Sequence, residues 1–301
     1  APGQLAVPNV RLVRQIAEGG MGSVWQGENL TLKTDVAVKF VAAEFSESDE
    51  AKARFEREAT AAARIRSPHV VQVLDHGISA EDDMPFIVME LLCGEDLEAR
   101  LNREPRLDLD LVAHIVIQTA KALSKAHALG IVHRDIKPSN IFLTEEGGEV
   151  FVKVLDFGIA KLTVADVARM RVTQTGAMIG TPVYMAPEQM TQAKDVGPQA
   201  DVWSVGVVAY LALTGLLPYD SDTVAGLAMA IERGKYPTAS GLVEGLPREI
   251  DAWFEKTLAK DPKDRFGTVR EMAESLAKIA GRRSAPASVL APTSTPPPPT
   301  S

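Results

Sequence analysis

The chain has 301 residues, 46% of them apolar and 24% charged, with 32 Lys+Arg against 40 Asp+Glu for a formal charge of −8. This is the profile of a folding globular chain with one large domain or two small ones, and its acidic balance argues against a duplex nucleic-acid surface, which is built by neutralising phosphates with Lys and Arg. Cys93 is the single cysteine, so an internal disulfide and a Cys-rich zinc site are excluded, which fits a reducing compartment and a cytoplasmic location.

The start, Ala1 to Val10, lacks the basic n-region and apolar core of a secretory signal, and residues 1–9 are read as an N-terminal extension. From Val10 to Phe40 the pattern is short and β-like, punctuated by Gly19, Gly20, Gly22 and Gly27. Closely spaced glycines let backbone amides approach an anion without interference from Cβ, but on its own such a cluster is equally a tight hairpin. No Gly-Lys-Ser/Thr follows, which excludes a Walker-type loop, and no helix follows directly, as a dinucleotide fold would want. Asp35–Val41 alternates as a strand does, placing Ala37 and Lys39 on one face. Ser48–Arg66 reads as a helix ended by Ser67-Pro68. Its apolar face carries Phe55, Ala62 and Ile65, and Glu58 stands on that same face. A carboxylate on a buried face needs a cation, and Lys39 is the expected partner. Two more strand-like runs follow, Val70–Leu74 and Pro85–Leu92.

After Glu95 the character changes. Asp108–Leu129 is a long amphipathic helix closed by Gly130 at C′. A loop, 131–139, leads to two short strands, Asn140–Thr144 and Val150–Leu155. The strongest chemical signal lies here: His133-Arg134-Asp135-Ile136-Lys137-Pro138-Ser139-Asn140, followed by Asp156-Phe157-Gly158. Oxygen donors from Asp135, Asn140 and Asp156 at one cleft edge suit Mg²⁺, which takes a few protein ligands plus substrate phosphates. A strand-poor segment runs from Gly158 to Pro187, and helices are expected at Pro198–Thr214, Thr223–Arg233, Pro247–Lys260 and Thr268–Ala280. Val202–Tyr219 is mostly apolar, yet Ser204, Gly206, Thr214, Gly215 and Pro218 interrupt it, so it reads as a core helix rather than a membrane span. Residues 281–301 are rich in Pro, Ala, Ser and Thr and read as a disordered tail or linker. A β-rich part joined near Leu92 to a helical part implies two lobes with a cleft between them, about 10–92 and 93–280.

Taken in order, the glycine loop, Val36-Ala37-Val38-Lys39, the His-Arg-Asp loop with Asn140, Asp156-Phe157-Gly158 and Ala186-Pro187-Glu188 resemble the eukaryotic-like Ser/Thr protein kinases, their bacterial branch in particular. The resemblance covers about Val10 to Ala280 and implies a two-lobed α+β fold with a small β-rich N-lobe, one key helix, and a larger helical C-lobe. It implies transfer of the γ-phosphoryl of Mg-ATP, with Mn²⁺ as a substitute metal, to Ser/Thr hydroxyls of protein substrates. Lys39, paired with Glu58, would hold the α/β-phosphates; Asp135 would orient the substrate hydroxyl; Lys137 would neutralise the phosphoryl in flight; Asn140 and Asp156 would bind metal. Ile16, Ala17, Gly19, Gly20, Met21 and Gly22 would cover the phosphates. Val24, Ala37 and Phe142 would sandwich the adenine, with Met89 at the back and Glu90 and Leu92 presenting hinge backbone.

Lys137-Pro138 and Gly180-Thr181-Pro182 match the Ser/Thr-specific version, with Thr181 bonding Asp135 and Lys137. Asp201 would anchor the catalytic-loop backbone, and Glu188 with Arg265 would form an ion pair in the helical lobe. Arg134 before Asp135 is tied in the family to activation-loop phosphorylation, here at Thr173 and Thr175, and a transient homodimer would allow trans-autophosphorylation. One departure stands out: Ala17 replaces the family's first loop glycine, the only feature that favours a catalytically weak ATP-binding scaffold as the alternative.

Overall fold

The computed structural model describes residues 5–7, 9–19, 22–41, 49–79, 83–157, 182–191, 196–221 and 223–284. Its upper part is a six-stranded antiparallel sheet built from β1 (Leu5–Val7), β2 (Val10–Gly19), β3 (Gly22–Asn29), β4 (Thr34–Val41), β5 (Val73–Ile78) and β6 (Pro85–Glu90). The spatial order is β1-β2-β3-β4-β6-β5. Residues 5–7, expected as part of an extension, instead pair with β2, because Val7 buries itself against Val10 and Leu12 in the apolar cluster on one face of the sheet.

The other face receives α1 (Asp49–Ala63), and this helix touches both halves of the molecule. Phe55 and Ala59 pack with Val41 and Ile87 of the sheet, whereas Ala62 and Ile65 join the large core below. Residues spaced three and four apart share one stripe of a helix, so a single apolar face serves both contacts. The segment after α1 departs from the expected strand 70–74. Val71 donates its N–H to Val154 O at 3.0 Å, Val154 donates to His69 O at 2.8 Å, and the strand proper starts only at Val73. His69 and Val70 are buried, and the lower sheet offers them backbone partners that β6 does not.

The lower part begins with β7 (Glu95–Asp96), α2 (Leu97–Arg103) and α3 (Leu109–His127). Asp108 caps α3, accepting from Leu111 N–H at 2.8 Å, and Gly130 ends it with φ +73° while Ile131 N–H reaches back to Ala126 O at 3.0 Å. β8 (Ile141–Glu146) and β9 (Glu149–Val154) complete a three-stranded sheet with β7. Then come α4 (Pro187–Thr191), α5 (Gln199–Thr214), α6 (Val224–Arg233), α7 (Ala239–Leu242), α8 (Glu249–Thr257) and α9 (Val269–Ser284). The apolar run after Asp201 is the core helix α5, with Trp203, Tyr210 and Leu213 fully buried. Among the described residues no helix is long and apolar enough to cross a membrane. α9 runs to Ser284, four residues past the expected end at Ala280. The remainder of the tail lies outside the described residues, as do Gly20, Met21, Gly158, Thr173, Thr175 and Thr181.

Candidate active site

The site forms where the loop between α3 and β8 meets the end of β9, under the sheet. Asp201, wholly buried at the start of α5, organises that loop. Its carboxylate accepts from the His133 N–H at 2.9 Å and the Arg134 N–H at 2.8 Å, and lies 2.7 Å from His127 Nε2. Gln189 clamps the same stretch from α4, donating Nε2–H to Arg134 O at 2.9 Å. These bonds hold Arg134 in the left-handed region at φ +65°, and Asp156 sits there too at φ +53°. Such backbone costs a non-glycine residue roughly 1–3 kcal/mol and persists only where its surroundings fix it. Of these two strained residues, Asp156 delivers its carboxylate to Lys39, while Arg134 turns its guanidinium away toward α1 and Val196.

Asp135 projects from the loop with its side chain 55% exposed, 3.0 Å from Lys137 Nζ. Asn140 donates its amide to Asp135 O at 2.7 Å and to Asp135 Oδ2 at 3.0 Å, which leaves the Asn140 carbonyl oxygen as an acceptor. Lys39 Nζ lies 2.6 Å from Asp156 Oδ2, joining the sheet to the end of β9. Burial works to raise the Asp156 carboxyl, but the charge and hydrogen bond of Lys39, with smaller help from His133 and Lys137, hold it below the usual carboxylate range. It is therefore ionised at neutral pH.

The strand register brings together the residues expected to face the nucleotide. Val24 lies across from Lys39 and Ala37 across from Met89, so these four share the cleft face of the sheet. Glu90 and Leu92 follow at the crossing to the lower part, and Phe142 on β8 supplies the facing floor. Gly94 allows the crossing at φ +144°, where a Cβ would stand 2.1 Å from the Leu143 carbonyl oxygen. On β2, Ile16, Ala17 and Gly19 are exposed. Ala17 lies across from Val24 and shares its face of the sheet.

One expected pairing is not made. Lys39 reaches Asp156 rather than Glu58, because the left-handed turn at Asp156 brings its carboxylate up to the sheet. Glu58 instead lines a cavity of about 330 Å³ between α1 and the catalytic loop, together with Arg54, Arg57, Arg134 and Phe157. Among the described residues the buried Nε of Arg134 has no hydrogen-bond partner, although its Nη2 donates to Val196 O at 3.1 Å. The Glu188–Arg265 pair is present as expected, bidentate at 2.8 and 2.9 Å. Sequence reasoning missed Gln189, Lys153 and the two α1 arginines. Arg54 and Arg57 stand three apart, and Glu58 follows Arg54 by four, a helical spacing that could have flagged them.

The donor set fits a hard divalent ion. Among the described residues no three Asp, Glu, His or Cys groups converge on one point, so a divalent ion here would be held by Asp156 and the Asn140 carbonyl oxygen and would rely on substrate and water for its other ligands. That is the habit of Mg²⁺ rather than of a structural metal.

Comparison with known proteins agrees with this cleft. The protein kinase domain family matches residues 10–277. The chain belongs to the protein kinase family. The kinase is 40% identical over 291 residues to serine/threonine-protein kinase PknA of Mycobacterium tuberculosis, an alignment covering 96% of this chain and 64% of that protein. It is 38% identical over 295 residues to serine/threonine-protein kinase pkn3 of Myxococcus xanthus, covering 94% and 54%. The kinase therefore spans somewhat under two thirds of the curated relatives it matches. Among solved structures, a double mutant of the kinase domain of M. tuberculosis PknI superposes with a TM-score of 0.76 at 28% identity, covering 93% of this chain and 99% of that one. A Rad53 structure in complex with AMP-PNP superposes at 0.70 and 25% identity, covering 89% and 64%.

Proposed function

We propose that the chain is a serine/threonine protein kinase that transfers the γ-phosphoryl of ATP, with Mg²⁺ (or Mn²⁺) bound, to hydroxyls of protein substrates. One observation supports this reading: Asp135 lies against Asn140 and Lys137 at 2.7–3.0 Å, Lys39 lies 2.6 Å from Asp156, and the Leu155 N–H joins the two groups by donating to Asn140 O at 2.9 Å. Asp135, exposed and held by Asn140, is the group to accept or orient the proton of the acceptor hydroxyl. Lys137, beside it, is placed to neutralise negative charge on the moving phosphoryl, and Lys39 to hold the α/β-phosphates. Asn140 and Asp156 would hold the divalent ion, which supplies charge neutralisation for the phosphates. Lys137-Pro138 and the names of the relatives favour Ser/Thr over Tyr acceptors. The test is label transfer from Mg-ATP to a generic basic protein and to the chain itself, with Asp135→Asn as control. Equal signal from both forms would refute the assignment.

The Lys39–Asp156 contact describes a resting arrangement, in which the phosphate-binding cation is occupied by the metal-binding carboxylate. Autophosphorylation at Thr173 or Thr175 would end it. A phosphate entering the cavity between α1 and the catalytic loop would meet Arg54, Arg57 and the unpartnered Nε of Arg134, drawing α1 and Glu58 into the active arrangement. Thr181 belongs to the same proposal as a partner of Asp135 and Lys137. Phosphopeptide mapping after incubation with Mg-ATP tests it, and an absence of phosphate at both Thr173 and Thr175 would refute it. A transient homodimer for this step, and an anchored longer protein around a cytoplasmic kinase domain, complete the reading.

A further inference from the structure

Beyond the catalytic groups, one ion pair crosses the cleft at its back. Lys153 Nζ donates to Glu90 Oε1 at 2.7 Å, with the two side chains 15% and 28% exposed. Glu90 closes β6 and opens the crossing between the lobes; Lys153 stands in β9 of the lower sheet. Lys153 lies directly across from Phe142, so the two side chains leave the same face of that sheet, the face expected to support the adenine. The same Glu90 oxygen accepts the Gln72 N–H at 2.8 Å, while the Glu90 N–H donates to Gln72 O at 3.1 Å. Glu90 is thus tied at its backbone to the segment before β5 and at its carboxylate to both that segment and the lower sheet.

We propose that Glu90 and Lys153 form a strut between the lobes that sets the width of the adenine slot, which makes both side chains positioning residues for the nucleotide. The roof of that slot hangs from β4 and β6 and the floor is β8, so the distance between them is fixed only where the two sheets are joined. The Glu90 backbone, expected to meet the edge of the base, is held in place by the side chain of the same residue. An ordinary surface ion pair would share none of these links and would not affect nucleotide affinity on removal. This inference rests on the proposed nucleotide site and adds to it a determinant of base affinity that is separate from the phosphate-binding groups.

The experiment compares wild type with Lys153→Met, Lys153→Arg, Glu90→Gln and the charge-reversed double variant Glu90→Lys/Lys153→Glu. Steady-state kinetics give kcat, the KM for ATP and the KM for a peptide; binding is measured for ADP and, separately, for inorganic tripolyphosphate, which has no base. Lys153→Met and Glu90→Gln are expected to raise the KM for ATP about fivefold, with kcat and the peptide KM within about twofold. ADP binding should weaken in step while tripolyphosphate binding stays unchanged. Lys153→Arg should keep the wild-type KM, and the double variant should return to within about twofold of it. An unchanged KM for ATP in Lys153→Met would overturn the proposal. So would equal weakening of ADP and tripolyphosphate, the signature of general loosening, or a double variant no better than the singles. If adenosine fails to compete with ATP for wild type, the nucleotide site itself is misplaced, a result distinct from all of these that overturns both readings.

Discussion

Arg265 offers the sharpest stability test, because its side chain is fully buried and every N–H it owns is used. Nε donates to Ala259 O at 2.7 Å; Nη1 donates to Glu188 Oε1 at 2.8 Å and Gln199 O at 2.9 Å; Nη2 donates to Glu188 Oε2 at 2.9 Å and Lys260 O at 3.0 Å. The guanidinium also lies 5.0 Å from the Trp203 ring. Replacement by lysine keeps the charge but offers three donors from one point, so at least two of the five acceptors lose their partner. A buried acceptor left unsatisfied costs about 1–3 kcal/mol, which gives about 2–6 kcal/mol for Arg265→Lys, a large share of the ~5–15 kcal/mol that stabilises a typical domain. Urea unfolding followed by tryptophan fluorescence, read at constant slope, measures it. A loss below about 1 kcal/mol would show that the lysine ammonium satisfies the site, and the argument from donor geometry would be wrong. Truncating both partners, Arg265→Met with Glu188→Leu, should cost less than the sum of the two single changes, since neither charge is then left buried alone.

Three other outcomes follow from features already described. Gly94→Ala should destabilise the fold by about 2 kcal/mol or more, because φ +144° excludes an L side chain and the new Cβ would press on Leu143 O; calorimetry reads the shift in melting temperature. Asp201→Asn should lower kcat by at least about tenfold with little change in the KM for ATP, since the loop amides of His133 and Arg134 lose their carboxylate while the nucleotide wall is untouched; an unchanged kcat would remove Asp201 from the positioning of Asp135. His69 is held below its ordinary value of 6.5, first by burial, with Lys121 and Lys153 adding to the effect against the Val152 carbonyl. The unfolded chain then binds the proton first, so stability is complete above about pH 6.5 and declines as the pH falls below it. His69→Gln should flatten that decline in urea midpoints measured between pH 7 and 5, and an unchanged slope would refute the assignment.

The sequence made the chemistry legible because Asp135, Asn140, Asp156 and Lys39 sit in short motifs whose spacing is set locally by one loop or one strand. Ala37 and Lys39 were placed on one face by alternation alone, and the register with Val24 and Met89 agrees. The pairing of Lys39 was harder to read. Glu58 and Asp156 are both carboxylates that a lysine can pair with, and the choice depends on the rotation of α1 and the backbone of one residue, neither of which leaves a trace in composition. Residues 5–7 read only as part of an N-terminal extension because three residues carry no periodicity, yet an open sheet edge and an apolar cluster were enough to pair them with β2. The run 70–74 looked like a strand of the upper sheet because its residues are β-formers, and propensity does not say which sheet they will join.

The attachment of residues 69–71 to β9 has a mechanical consequence. Two separate stretches of chain now join the halves of the molecule: the passage from Glu90 to Gly94, and the lower end of α1 with the segment that follows it. Bodies joined at one point can swivel in any direction, but bodies pinned at two points turn only about the line between the pins. Opening of the cleft is thereby confined to a single axis, like a door on two knuckles. The chain boundary near Leu92 is then no mechanical boundary: a cut there would take Ala62, Ile65 and Val70 away from the core they help to fill.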